Sequence, residues 1–216
     1  PVVASAAHAP TTPACDLRVG LNALLREHVD LGLEVLRNAY DGSAAFEGSF
    51  AALDANSVEL AAAIEGLYGA EAGANFLSLW REHIGFFADY TTGLATDDAA
   101  LRAEAVANLE GYAQAAGAFF GGAIPAVTAE AVVAGAGEHA ALLTASMDAY
   151  AAGNFALSYE KGREANQQVA GLANALTGGI ADQFPGSFET DDGDATKPNT
   201  PACDLRVGLN ALLREH

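Results

Sequence analysis

Residues 12–40 read TPACDLRVGLNALLREHVDLGLEVLRNAY. Leu17, Leu21, Leu24, His28, Leu31 and Val35 recur at alternating spacings of four and three, which puts them on one stripe of an α-helix. Thr12 followed by Pro13 is a cap with proline at the first helical position, and Asp41-Gly42 is a stop. A helix this long with one apolar stripe must bury that stripe against other helices, so the stretch predicts an all-α protein.

The rest of the chain agrees. Hydrophobic residues make up 51% of 216, much of it alanine, and there are only 7 prolines, so the material between breaks favours helix. A capping box at Asn56-Ser57-Val58-Glu59 predicts the start of a second helix, broken at Gly69 and Gly73 and resumed from about Ala74 to Thr92. Thr96, Asp97 and Asp98 open a third, and Pro125 and Thr128 with Glu130 open a fourth. Gly153-Asn154 precedes a fifth that runs to Pro185. Short connections between long amphipathic helices predict an up-and-down antiparallel bundle of about five helices, occupying residues 12–187.

Residues 200–216, TPACDLRVGLNALLREH, repeat residues 12–28 without a change. A perfect copy of this length marks a tandem-repeat unit of domain size, followed by the truncated start of a second unit. Residues 188–199 (FETDDGDATKPN) read as an acidic linker between the two. Two fates are open to the copy: docking in the groove that helix 1 occupies, by exchange between chains, or packing on the end of the first bundle as the next repeat begins.

Residues 1–11 resemble the remnant of a secretory signal, with small residues at Ala4, Ala6, Ala7 and Ala9, which predicts an extracellular or cell-surface location. Each copy carries one cysteine, Cys15 and Cys203. In an oxidising compartment these predict an inter-repeat or intermolecular disulfide, or a free thiol; the plain alternative is a small buried residue. A net charge of −18 disfavours nucleic acid and anionic lipid as partners. The longest uncharged stretch, 111–129, is too weakly apolar to span a membrane.

Three histidines fall on inward-facing seams, His28, His83 and His139, each following a glutamate. All three lie near the midpoints of their predicted helices, hence at one height in a bundle whichever way each helix points. Three imidazoles converging there could hold copper or zinc with one position left open, with Tyr112 and Asn166 as an outer shell. Glu27, Glu82 and Glu138 point about 100° away and read as surface charges. The competing reading is that each histidine is a core residue bonded to a neighbouring Tyr, Asn or carbonyl. The Glu-x-x-His pattern of di-iron bundles, the CxxCH haem motif, the phosphate-binding glycine loop and the GxSxG elbow are all absent from the sequence.

The run from Leu24 to Pro185 contains LREHVDLGLEVLRN, LYG, LWREHIGFFADY, GEHAALL and TGGIADQFP in that order. It resembles a group of helical-bundle proteins from Gram-positive bacteria that carry such Glu-His helices. That resemblance implies the bundle and no activity. The leading expectation is a non-enzymatic module of a tandem-repeat surface or fibrous protein, assembling with further copies of itself. The alternative is a copper- or zinc-binding, or metal-dependent redox, protein built on the three histidines.

Overall fold

A computed structural model describes residues 12–188 and 198–215, with Glu215 placed by its backbone alone. The described residues form eight helices and no strand: α1 (Pro13–Tyr40), α2 (Phe46–Tyr68), α3 (Ala70–Ala95), α4 (Ala99–Ala123), α5 (Ala129–Ala151), α6 (Phe155–Gln183), α7 (Pro185–Phe188) and α8 (Pro201–Glu215). No described helix is long and apolar enough to cross a membrane. The expected signal remnant and most of the acidic linker lie outside the described residues.

Local chemistry sets most of the boundaries. Thr12 Oγ1 accepts from the Cys15 amide at 3.1 Å, Asp98 accepts from Ala100 and Leu101, Thr128 from Ala131 and Asn154 from Leu157. Gly69, with φ of +89°, separates α2 from α3.

Two readings need correction. The second helix starts at Phe46 rather than Asn56, because Asn56 and Ser57 are buried inside it. The Asn56 amide donates across to the Leu24 carbonyl at 3.0 Å, and the Ser57 hydroxyl donates back to Leu53 at 2.8 Å, so neither side chain caps anything. Gly73 does not break α3. It is glycine because α2 lies against it: a Cβ there would sit 2.8 Å from Glu65 Cβ and 3.1 Å from the Ala61 carbonyl oxygen. The described residues therefore form six long helices where about five were expected.

Each long helix packs on the next in sequence, and α6 returns to α1, which also touches α3 and α5. That position explains why α1 buries so wide a face, from Ala14 and Leu21 through Leu25, Val29 and Leu33 to Leu36. The core cluster lies wholly between Ala14 and Phe188. Phe188, read above as the first linker residue, is buried in that core. Close approach of α4 and α5 depends on Gly121, whose added Cβ would fall 2.9 Å from the Ala129 nitrogen and 3.1 Å from its Cα. Because those neighbours are backbone, Gly121→Ala should lower unfolding stability by about 1–3 kcal/mol in urea titration, despite the higher helix propensity of alanine. A gain in stability would show that the two helices can part freely.

Helix α8 has a different status. Its Leu205, Leu209, Leu212 and Leu213 are exposed, and it touches α1 alone among the long helices. Cys15 and Cys203 are joined, with sulfurs 2.14 Å and Cα atoms 5.7 Å apart. Arg18 pairs with Asp204 at 2.5 Å, and Arg206 pairs with Asp16. Partly exposed ion pairs contribute about 1 kcal/mol or less each, so the covalent bond is the main tether of α8.

Candidate functional site

His28 on α1, His83 on α3 and His139 on α5 line one interior cavity of about 60 Å³, with Trp80, Phe87 and Tyr112 among its other walls. His28 and His83 are buried, while His139 and Tyr112 are half-buried. The Nε2 atoms of His28 and His83 stand 3.2 Å apart. The Trp80 ring lies 4.7 Å from each of those imidazoles, and Tyr112 stacks on His83 at 4.7 Å. His139 meets the edge of Phe87 at 6.4 Å. It is set back from the other two: among the described residues, no three His, Cys, Asp or Glu side chains are close enough to hold a metal ion together.

Asn56 acts on His28, the Trp80 backbone on His83 and Gln168 on His139, each favouring the charged imidazole against the larger effect of burial. None of these interactions closes a hydrogen bond of good geometry, and Asn56 Oδ1 and Gln168 Oε1 have no other partner. The direction of both amides is nevertheless determined. The Asn56 nitrogen is used on Leu24 and Glu27, and the Gln168 nitrogen donates to the Gly135 carbonyl at 3.0 Å. Each amide oxygen is therefore the atom left free to accept.

Electrostatics hold the three rings neutral. Burial among apolar walls, helped by His139, pushes His28 down to about 3 against the weaker opposing effect of Asn56. Burial, then His28 and His139, hold His83 well below the usual imidazole range. Burial brings His139 to about 4, opposed by Gln168. The Tyr112 phenol is raised by burial and stays protonated.

The contact depends on where the protons sit. If one ring carries its N–H on Nε2 and the other on Nδ1, the pair forms an N–H···N hydrogen bond at 3.2 Å. If both carry N–H at Nδ1, two Nε2 lone pairs face each other and a metal ion between them would satisfy both. With metal–nitrogen bonds of about 2.0–2.1 Å and tetrahedral angles, two ligand nitrogens lie about 3.3 Å apart.

Of the residues expected as an outer shell, Tyr112 is in the layer and Asn166 is not. Asn166 donates to Asp30 at 2.7 Å on the outer seam of α1 and α6 and does not line the cavity. The polar groups that act on the rings belong instead to Asn56, Gln168 and the Trp80 backbone. A signal for Asn56 exists in the sequence: with Leu53 and Leu60 it lies on the apolar stripe of a helix longer than the capping box allows. Gln168 directly precedes Val169 of the α6 stripe.

No family model, no curated protein and no solved structure matches this chain. The motif likeness noted above rests on its short stretches alone, and the function is read from the residues.

Proposed function

We propose that this domain is a metal-binding module of a tandem-repeat extracellular protein, an up-and-down bundle that holds copper or zinc between His28 and His83. The 3.2 Å approach of two buried Nε2 atoms is the observation that carries the metal reading. His139 lines the same cavity and becomes the third ligand by a side-chain rotation, leaving a further position for water. Cavity size favours binding over turnover. About 60 Å³ accommodates an ion and a water or two, whereas pockets for organic substrates measure about 300–1,000 Å³. The module reading is supported by the identical copy and by its covalent attachment to α1, a bond suited to an oxidising compartment. The charge of −18 disfavours nucleic acid as a partner.

Elemental analysis tests the metal reading. Protein stripped with chelator and reloaded with zinc or copper(II) should carry one equivalent of metal after dialysis, and His83→Ala should carry none. Copper(II) should also quench Trp80 fluorescence, since that ring lies 4.7 Å from both imidazoles. Sub-stoichiometric metal in the unaltered chain, or full loading of His83→Ala, would exclude the site.

A further inference from the structure

Helices α1 and α8 share one sequence, and their contacts are reciprocal. Cys15 bonds to its own counterpart, Cys203. Arg18 pairs with Asp204, while Arg206, the counterpart of Arg18, pairs with Asp16, the counterpart of Asp204. Further along, Val19, Asn22 and Ala23 line one crevice with Val207, Asn210 and Ala211, again position for position. Contacts in which residue i meets j and j meets i define an isologous interface, the kind generated by a two-fold axis.

We infer that the α1 face running from Cys15 to Ala23 is a self-complementary pairing surface whose partner is the same face of a second copy of this bundle. The inference rests on the module reading above and extends it from repetition to a mode of assembly. The far side of α8 agrees with it. Leu205, Leu209, Leu212 and Leu213 are exposed, and their counterparts Leu17, Leu21, Leu24 and Leu25 are the ones α1 turns toward its own core. In a second copy docked through the same face, the side of its α1 that corresponds to this leucine face is the one its own α2–α6 cover. The two bundles sit on opposite sides of the α1–α8 pair. Because an isologous face is used up by a single partner, copies joined here form closed pairs and not an open fibre. Charge gives the pairing its specificity, since each copy offers an acid and a base in the order its partner requires.

Charge reversal in the full chain tests this. The equilibrium of the Cys15–Cys203 bond with glutathione measures how well α8 is presented to α1. Asp16→Arg and Arg206→Asp should each lower that equilibrium constant by about tenfold, and the double variant should restore it. A second variant, Cys203→Ser with Asp204→Arg and Arg206→Asp, turns α8 away and frees the α1 face. On oxidation it should form a covalent dimer through Cys15, and adding Asp16→Arg should return it to monomer. A monomeric triple variant whose Cys15 remains alkylatable, or a lack of mutual rescue in the glutathione series, overturns the pairing surface. Helical content and Trp80 emission of the same triple variant separate the two readings. If the bundle melts once α8 is released, the independent module itself is wrong; if it persists without dimerising, the pairing surface alone fails.

Discussion

The metal-free protein should lose stability steeply as pH falls from about 6.5 to about 4, well before its carboxylates are mostly protonated. His28, His83 and His139 all titrate lower in the folded chain than at their ordinary value of 6.5, chiefly because burial penalises the charged ring. In the unfolded chain they take up protons near 6.5, so below that pH the unfolded state binds more protons than the folded one. Stability is therefore complete above 6.5 and falls as pH drops toward the folded values, about 4 for His139 and about 3 for His28. Each histidine contributes about 1.4 kcal/mol per pH unit in this window, so three together give a slope of about 4 kcal/mol per unit. Domains are stable by only about 5–15 kcal/mol, so unfolding should be under way near pH 5. Urea midpoints followed by helical signal from pH 7.5 to 4 measure it. Replacing His139 with Phe should lower the slope by one proton's share. A midpoint constant down to pH 5 would mean the rings are already charged or solvated in the fold.

What the sequence revealed, and what it hid, divides along the range of the interactions. Caps such as Thr12, Asp98, Thr128 and Asn154 act within one turn, so they were readable from neighbours alone. Asn56 has the same local signature, yet its amide answers to the Leu24 carbonyl 32 residues away, and tertiary contact overrides the cap. Gly73 likewise looks like a breaker, and only the approach of α2 explains it. The histidine layer was legible because helix midpoints give height without knowing which helices are neighbours. Height does not give depth, however: His28 and His83 meet at 3.2 Å while His139 stands back, a difference set by how α5 packs. The same limit misplaced Asn166, whose neighbour Asp30 draws it to the outer seam. Cysteine counting left the pairing open between chains and between repeats. The structure joins Cys15 to Cys203 within one chain, because the copied segment lies along α1.

The Asn56 amide should matter to metal affinity almost as much as the His28 ring on which it acts. An imidazole that donates Nδ1–H to an acceptor is held in the tautomer and orientation that present Nε2, and loss of such an acceptor typically weakens metal binding by about 10–100-fold. Asn56→Ala removes the amide that acts on His28, so it should bind zinc about 10–100-fold more weakly in competition with a chromophoric chelator. Asn166→Ala should bind like the unaltered chain, since its side chain is engaged with Asp30 outside the cavity. The outcome also separates a metal site from a purely structural cluster. In a structural cluster, Asn56→Ala would cost stability by freeing the Leu24 carbonyl and the His28 ring, and zinc would make no difference to the loss. In a metal site, zinc stabilises the folded chain by mass action, by about 2.7 kcal/mol when free metal stands at a hundred times the dissociation constant. A variant that binds a hundredfold more weakly would keep only about 0.4 kcal/mol of that at the same free zinc. Equal zinc-dependent shifts in the melting temperature of Asn56→Ala, Asn166→Ala and the unaltered chain would place the ion somewhere other than the His28–His83 pair.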